Sequence, residues 1–327
     1  MTTSVSNGFP TFADVVAASD RIARRIVRTP VMSSEAFDAR TGRHVFLKCE
    51  NLQRGGAFKL RGALNAVLPI AAEGRARTVI THSSGNHGAA VAMAANACGL
   101  QAHVVVPRGS SRPKVAAIER AGASITFCEP TFEAREAALA ELLRREHVAV
   151  VHPFDDPLVI AGQGTAALEL LCQEPELDVV STPVGGGGLI GGTALAVKAI
   201  TRGCSVVGTE PEQADDAFRS FRAGSRQSVS SPSTIADGLR ASIGKLNFEL
   251  LRRYVDDVVV VSEAQIIAAM RIVLQDFKLL IEPSSAVPVA AALAGKLGRE
   301  GQRLGIIISG GNVDLDECPF LRGAPAT

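Results

Sequence analysis

The 327-residue sequence has no tryptophan and a single tyrosine, Tyr254, and aromatic residues make up only 4% of it. So few aromatic rings argue against a stacking platform for nucleic-acid bases. The 34 basic and 33 acidic residues leave a net charge of +1, which gives no strong attraction to nucleic acid or to an anionic membrane. We therefore expect neither nucleic acid nor a membrane surface to be the main partner.

Long apolar runs and a secretory leader are also missing. The most apolar window, residues 89–100, is about 12 residues long, whereas ~20 are needed to span a bilayer. Residues 1–8 contain no basic stretch followed by an apolar run, so no signal peptide is expected.

The cysteines show no C-x-x-C spacing. Their scatter is typical neither of a disulfide framework nor of a zinc site, and it predicts reduced, mostly buried thiols in a cytoplasmic protein. They are Cys49, Cys98, Cys128, Cys172, Cys204 and Cys318.

Composition and pattern together predict an α/β fold. Hydrophobic residues make up 46% and charged residues 20%, so a proper core is expected. Short Val/Ile-rich runs alternate with helical patterns, which favours parallel sheets covered on both faces. Because the strands are too many for one small sheet, we expect two α/β lobes.

The predicted strands are residues 45–50, 78–81, 102–106, 124–127, 148–151, 179–184, 205–209, 258–261 and 304–308. The predicted helices are residues 9–28, 58–70, 88–98, 112–120, 132–146, 160–172, 189–200, 263–277 and 285–294, and residues 224–233 are predicted to form a polar loop.

One lysine stands out, in the stretch Arg-Gly-Gly-Ala-Phe-Lys-Leu-Arg-Gly-Ala at residues 54–63. Gly55 and Gly56 permit a sharp turn before the helix that Phe58 and Lys59 open. The positive end of the helix dipole, together with burial beside Phe58, lowers the pKa of a lysine in that place. An unprotonated amine can form an imine with a carbonyl compound. The alternative is a surface lysine at a helix start.

A run of four glycines, Gly185 to Gly188, lies between a strand and a helix. Consecutive backbone N–H groups backed by a helix dipole form a phosphate cradle. The run lacks the Lys-Ser/Thr of a nucleotide P-loop, so it suits a small phosphomonoester better than ATP or NAD. The alternative is a flexible turn.

Two further polar stretches follow predicted strands. Ser83, Ser84 and Asn86 precede a helix and could hold a carboxylate at its N-terminus, although a capped helix start is the simpler interpretation. His87 alone is more often structural. Ser309 follows another strand, at the end where ligands bind open parallel sheets. Together these features favour pyridoxal phosphate, with its aldehyde on Lys59, its phosphate on the glycines and its ring nitrogen on Ser309.

Here the chain resembles the fold-type II pyridoxal-phosphate enzymes of the serine/threonine dehydratase and serine racemase group, over residues 29–314. The resemblance implies two open, mostly parallel twisted sheets of the tryptophan synthase β-like type. It implies a large domain from residues 1–76 and 154–327, and a small domain from residues 77–153. The matching stretches are residues 50–53, 57–63, 83–87, 161–165, 185–189, 282–283 and 309–312.

By this resemblance Lys59 is the Schiff-base lysine, and Ser84 is a second acid/base on the opposite face of the cofactor in the racemases. The implied cofactor-binding set is Phe58, Lys59, Asn86, Gly185, Gly186, Gly187, Gly188, Leu189, Gly238, Glu282 and Ser309. The implied substrate-binding set is Ser83, Ser84, Asn86 and His87.

The resemblance also implies a cation site and an assembly. Glu210, Asp216 and the carbonyl of Ala214 match the family's divalent-metal motif, and oxygen ligands suit Mg²⁺ or Ca²⁺. On sequence alone, such an acidic cluster is more often a solvated turn. The family is usually homodimeric.

A small amino acid is the expected substrate, and several activities remain open. A neutral hydroxyl at the ring nitrogen favours β-elimination of threonine or serine to a 2-oxo acid and ammonia. Ser84 favours serine racemisation, alone or beside elimination, whereas Phe154 resembles the dehydratases and argues against a nucleotide site. A hydroxyaspartate or hydroxyectoine-pathway dehydratase is possible, with Arg61 or Arg240 recognising a second carboxylate. A non-enzymatic sensor that kept the pocket is the other alternative.

Overall fold

The computed structural model describes residues 8–83, 85–144, 146–229 and 232–320. Its strands are β1 (Val31–Met32), β2 (His44–Cys49), β3 (Thr78–His82), β4 (Gln101–Pro107), β5 (Ser124–Cys128), β6 (Val148–Val150), β7 (Val179–Pro183), β8 (Ser205–Pro211), β9 (Asp257–Val261) and β10 (Arg303–Ile308). Its helices are α1 (Phe12–Ile22), α2 (Glu35–Thr41), α3 (Lys59–Ala72), α4 (Asn86–Ala97), α5 (Arg112–Arg120), α6 (Phe132–Leu143), α7 (Pro157–Gln173), α8 (Gly188–Ile200), α9 (Asp216–Ala223), α10 (Lys245–Tyr254), α11 (Glu263–Phe277) and α12 (Pro283–Leu293).

The larger sheet has six strands in the order β1-β2-β10-β7-β8-β9. Neighbouring strands run parallel except for the short β1, which is antiparallel to β2. Apolar side chains of α1, α7, α8 and α10 pack on one face, and those of α2, α11 and α12 pack on the other. The sheet is therefore buried on both sides, as its Val/Ile-rich strands predict.

The smaller sheet has four parallel strands in the order β5-β4-β3-β6, all of them drawn from residues 78–150. Apolar side chains of α6 pack against β3 and β6, while those of α4 and α5 pack against β4. The two-lobed α/β fold class is confirmed. The domain boundaries themselves stay a prediction.

Several elements differ from the sequence prediction. Helix α1 begins later than predicted, because the Thr11 side chain and Asp14 form a capping box at its start, and it ends earlier, at Ile22. The prediction also missed β1, α2, α9 and α10. For β1, α2 and α9 the reason is length, because a strand of two residues and helices of seven and eight residues are too short to show a clear apolar period. The ten-residue α10 was missed without such a reason.

Helix α3, which begins at Lys59, packs against α4 and α7 and so lies between the two sheets. Glycines let these helices approach closely. A Cβ atom on Gly162 would lie 2.6 Å from the Cα of Gly62, and one on Gly192 would lie 2.4 Å from the carbonyl oxygen of Ile160. Close backbone packing against α7 therefore holds α3 in place.

Four of the six cysteines, Cys49, Cys128, Cys204 and Cys318, are buried, as predicted, and Cys49, Cys98, Cys128, Cys172 and Cys204 are free thiols within the described residues. Within the described ranges, no helix is both long and apolar enough to cross a bilayer.

Candidate active site

The predicted site residues gather where strands of both sheets end. Lys59 is the first residue of α3, and no side chain caps that helix. Its Nζ donates to the carbonyl oxygen of Pro153 at 3.0 Å and lies 5.1 Å from the centre of the Phe58 ring. Burial lowers the pKa of Lys59 from 10.5 to about 8, against an opposing attraction from Glu282. The lowered pKa agrees with the expectation and disfavours the surface-lysine alternative.

Gly185, Gly186 and Gly187 precede α8, Gly188 is its first residue, and all four glycines are buried. Gly187 has a φ of +89°, which glycine adopts without strain. A Cβ atom on Gly186 would lie 2.2 Å from the ring of Phe154. Among the described residues, no acceptor meets the backbone N–H groups of residues 185–188. Buried, unpaired N–H groups at a helix N-terminus fit a phosphate. Leu189, the next residue in the predicted set, is buried in α8.

Asn247 of α10 supports the glycine run from behind. Its Nδ2 donates to the carbonyl oxygens of Gly186 at 2.8 Å and of Phe154 at 2.9 Å. Sequence reasoning missed Asn247, because nothing near it in the chain signals a partner so far away.

Ser309 follows β10 and is buried beside Ser285 of α12, with 2.9 Å between their Oγ atoms. Ser285 Oγ also donates to the carbonyl oxygen of Gly310 at 2.6 Å and accepts its N–H at 2.7 Å. If Ser285 turned its proton to Ser309, the hydroxyl of Ser309 would be free to donate to a ring nitrogen. Sequence reasoning did not find Ser285.

Asn86 and Glu282 join the two sheets across the site. Asn86 begins α4, and its Nδ2 donates to Glu282 Oε1 at 2.9 Å and Oε2 at 3.1 Å. Its Oδ1 accepts from Asn312 Nδ2 at 2.9 Å. Burial raises the pKa of Glu282, although the attraction of Lys114 opposes this. The structure thus brings Asn86, Glu282 and Asn312 together.

Lys114 of α5 is a charged neighbour that sequence reasoning missed. Its Nζ lies 2.5 Å from Asp237 Oδ2 and 3.9 Å from Glu282 Oε2. Burial alone would lower the pKa of Lys114, but the attraction of Glu282 and Asp237 raises it. The adjacent Gly238 donates its N–H to Ser284 Oγ at 3.1 Å.

The predicted carboxylate-binding residues have distinct environments. Ser83 Oγ accepts the N–H of Gly85 at 3.1 Å. Ser84, the predicted second acid/base, lies outside the described residues. His87 is buried, and its Nε2 meets the carbonyl oxygen of Val151 at 3.3 Å, so Nε2 carries the proton.

His87 cannot donate from its other ring nitrogen in that state. Its Nδ1 is buried and has no partner within the described part of the chain. Burial and the charge of Lys59 lower the pKa of His87 well below its usual value, so the ring is neutral. A substrate carboxylate would therefore be held by other donors at the start of α4.

The predicted cation ligands lie after β8 and at the start of α9. Glu210, Ala214 and Asp216 are all fully buried, which is unlike a solvated turn. The carboxylate of Glu210 accepts the N–H groups of Ala217 at 3.1 Å and of Phe218 at 2.7 Å. No group of three or more His, Cys, Asp or Glu side chains able to hold a metal lies among the described residues.

The donor set nevertheless fits a hard cation. Asp216 Oδ2 accepts the N–H of Ile243 at 2.8 Å. Its Oδ1 is buried and has no hydrogen-bond partner among the described residues. Burial raises the pKa of Asp216 to about 6 and, with repulsion from Asp216, raises that of Glu210 well above its usual value. A bound cation would neutralise both carboxylates.

Neither of the arginines considered for a second substrate carboxylate is free. Arg61 is fully buried and pairs with Glu50 at 2.7 Å and with Glu169 at 2.8 Å. Arg240 donates through Nη2 to the carbonyl oxygen of Thr234 at 2.7 Å. The expectation for Arg61 is wrong, because both of its bidentate partners are structural carboxylates.

Fold and site together define a pyridoxal-phosphate enzyme of fold type II. The chain belongs to the family described as "Pyridoxal-phosphate dependent enzyme", which matches residues 22–310.

Within this class, the similar proteins of known activity include ammonia-lyases and racemases. The chain is 43% identical to a beta-hydroxyaspartate dehydratase of Paracoccus denitrificans, over 95% of this chain and 99% of that protein. It is 45% identical to a serine racemase of Arabidopsis thaliana, over 93% and 94% of the two chains. A solved threonine deaminase structure from T.th. superposes with a TM-score of 0.89 at 42% identity, covering 94% of this chain and 99% of that one.

Proposed function

We propose that the protein is an ammonia-lyase that eliminates the β-hydroxyl group of L-threonine, L-serine or a related β-hydroxy amino acid. The observation that carries the proposal is Ser309, a neutral hydroxyl at the strand end next to the lysine turn. A hydroxyl partner leaves the pyridine nitrogen unprotonated. That weakens electron withdrawal by the ring and favours prompt loss of a β-substituent over a long-lived carbanion.

Pyridoxal phosphate, when bound, supplies an aldehyde that links the substrate amine to an electron-withdrawing ring. The residues that would hold it are Lys59, Gly185 to Gly188 and Ser309. The backbone N–H groups of the glycine run would bind its phosphate, and the Asn86 side chain lies beside Glu282 on the facing wall.

Lys59 is the proposed base. Its lowered pKa leaves part of the amine unprotonated near neutral pH, so it can take the Cα proton. Pro153 then offers a carbonyl acceptor for the ammonium. The proton passes to the departing β-hydroxyl, which leaves as water. The released enamine takes up that equivalent of water to give the 2-oxo acid and ammonia.

The first experiment compares purified wild type with Lys59→Ala on a panel of L- and D-hydroxy amino acids, scoring 2-oxo acid and enantiomer. We expect the substitution to abolish the visible band of bound cofactor and to reduce 2-oxo acid formation by more than about a thousandfold. Lys245→Ala is the matched control, because Lys245 is an exposed lysine at the first residue of α10. Full activity in Lys59→Ala, or a wild type that binds no cofactor, would contradict the proposal.

Hydroxyaspartate is a second candidate substrate, and Arg135 favours it. Arg135 lies on α6, its Nε donates to the carbonyl oxygen of Thr131 at 3.3 Å, and it forms no ion pair within the described residues. After burial and His152, its charge helps to lower the pKa of His82, the last residue of β3, to about 4. Arg135 has no carboxylate partner among the described residues, so its charge could meet the second carboxylate of the substrate.

Arg135→Met tests that candidate. We expect kcat/KM for hydroxyaspartate to fall about 10- to 100-fold while that for serine changes little, because only the dicarboxylate needs the cation. Equal losses on both substrates would remove Arg135 from substrate recognition.

Serine racemisation remains the alternative that Ser84 and the serine racemase relative support. Ser84→Ala should abolish any D-serine formation while leaving elimination largely intact. We also propose a Mg²⁺ or Ca²⁺ ion held by Glu210, Asp216 and the carbonyl of Ala214. A homodimer is expected, and sedimentation would test it.

A further inference from the structure

The segment between β6 and α7, residues 151–156, supplies two backbone acceptors to the site. The carbonyl oxygen of Val151 accepts from Nε2 of His87 at 3.3 Å. The carbonyl oxygen of Pro153 accepts from Nζ of Lys59 at 3.0 Å. One short stretch of backbone therefore fixes the tautomer of the histidine and holds the amine of the lysine.

His152, between these two carbonyls, closes the turn. Its Nδ1 accepts the backbone N–H of Phe154 at 3.3 Å and that of Asp155 at 2.8 Å. These are the amides two and three residues further on, which an asparagine side chain reaches in an Asx turn. The ring also packs edge-on against Phe154, with 4.7 Å between ring centres, and against His82, with 5.7 Å.

The far end of the segment is tied independently. The carboxylate of Asp155 accepts the N–H groups of Lys245 and Leu246 at 3.0 Å each and so caps α10. Asn247 Nδ2 donates to the carbonyl oxygen of Phe154 at 2.9 Å. With that end fixed, the direction of the Pro153 carbonyl depends on the turn that His152 closes.

We propose that His152 is a positioning residue, whose Nδ1 holds the turn that aims the carbonyl of Pro153 at Lys59. This inference rests on the proposed role of Lys59 as the base. After Lys59 has taken a proton, the carbonyl oxygen of Pro153 accepts a hydrogen bond from its ammonium group. A hydrogen bond to the charged amine favours the protonated form and so opposes the effect of burial on Lys59.

A test of this proposal must leave the other charged and titratable side chains around this turn unchanged. Glu282, His87 and His152 share electrostatic interactions with Lys59. His152 in turn senses Asp155, Asp156 and Glu136 as well as Lys59. A useful variant therefore changes the acceptor at position 152 without adding charge.

Two substitutions separate the acceptor from the ring. His152→Asn keeps a neutral acceptor at the same place and removes the ring. His152→Phe keeps an aromatic ring against His82 and Phe154 and removes the acceptor. His152→Met serves as a second variant without the acceptor if the phenylalanine does not fold.

The measurement is the pH dependence of the rate at which cofactor-free protein gains its visible band when pyridoxal phosphate is added. Its midpoint reports the fraction of Lys59 that is unprotonated. We expect His152→Phe to lower that midpoint by about one pH unit, because the protonated amine loses a charge-assisted hydrogen bond. His152→Asn should keep the wild-type midpoint, and thermal unfolding of each variant gives the control for folding.

An unchanged midpoint in folded His152→Phe, or equal shifts in the asparagine and phenylalanine variants, would overturn the proposal. A wild type that gains no visible band would defeat the proposed function instead. In that case the same midpoint is read from the pH dependence of Lys59 acylation, located by peptide mass spectrometry. The role of His152 is then decided without the cofactor.

Discussion

The backbone N–H of Phe58 donates to the carbonyl oxygen of Ser309 at 2.9 Å. Ala57 and Gly310 form an antiparallel bridge beside this bond. The turn before the lysine is therefore joined directly to the end of β10. One stretch of paired backbone therefore positions both Lys59, which is expected to bind the aldehyde, and Ser309, which is expected to meet the ring nitrogen.

Ser285→Ala should weaken this end of the site. The alanine leaves the buried N–H of Gly310 without its acceptor and Ser309 without its neighbour. We expect the free energy of unfolding to fall by roughly 1–3 kcal/mol and cofactor affinity to fall about tenfold. Urea denaturation and absorbance titration measure the two effects.

The matched control is Ser181→Ala in β7, where a buried hydroxyl donates to the carbonyl oxygen of Val207 at 2.9 Å. It should lower stability without changing cofactor affinity. Unaltered cofactor affinity in Ser285→Ala would show that Ser285 does not support Ser309.

Arg61→Met should destabilise the protein strongly. Arg61 donates to both oxygens of Glu50, which is fully buried, and to Glu169. Removing the guanidinium leaves an uncompensated buried carboxylate, and we expect a loss of about 3–5 kcal/mol in the free energy of unfolding. Arg75→Met removes an exposed partner of Glu73 and should cost less than about 1 kcal/mol. Similar losses in the two variants would contradict the structural role of Arg61.

Lys59→Met should stabilise the cofactor-free protein in a pH-dependent way. Burial lowers the pKa of Lys59 from 10.5 to about 8, so the folded state disfavours the protonated lysine. Below about pH 8 the lysine is charged in both the folded and the unfolded protein, so the full free-energy cost of burying its charge is present. It declines as pH rises from about 8 to 10.5, since there only the unfolded chain binds the proton, and it is absent above that range.

The expected gain for Lys59→Met near pH 7 is on the order of 2 kcal/mol, after allowance for the partial exposure of the side chain. Denaturant unfolding across this pH range measures it. Lys245→Met, at the exposed first residue of α10, should show no comparable gain. A gain that persisted above pH 10.5 would mean that packing, not charge, is responsible.

The site could be predicted from the sequence where the signal was local. Lys59, the glycine run and Ser309 each lie at a turn beside a strand or helix whose own pattern is clear. Ser285 and Asn247 were not predictable, because their partners are fixed only when α12 and α10 pack against distant turns. The same holds for Lys114, which lies on α5 beside the smaller sheet, whereas its partner Asp237 lies beside the larger one.

A divalent cation should stabilise the protein through Glu210 and Asp216. Both carboxylates are fully buried, and Oδ1 of Asp216 has no partner among the described residues. An ion that binds only the folded state at about a hundred times its dissociation constant adds about 2.7 kcal/mol, so we expect Tm to rise by several degrees. Chelator-treated protein is unfolded thermally with and without Mg²⁺ or Ca²⁺. Asp216→Asn should lose the rise, whereas Glu212→Gln, an exposed carboxylate in the same stretch, should keep it. A cation-independent Tm in the wild type would mean that these buried carboxylates are held by protonation and backbone N–H groups alone.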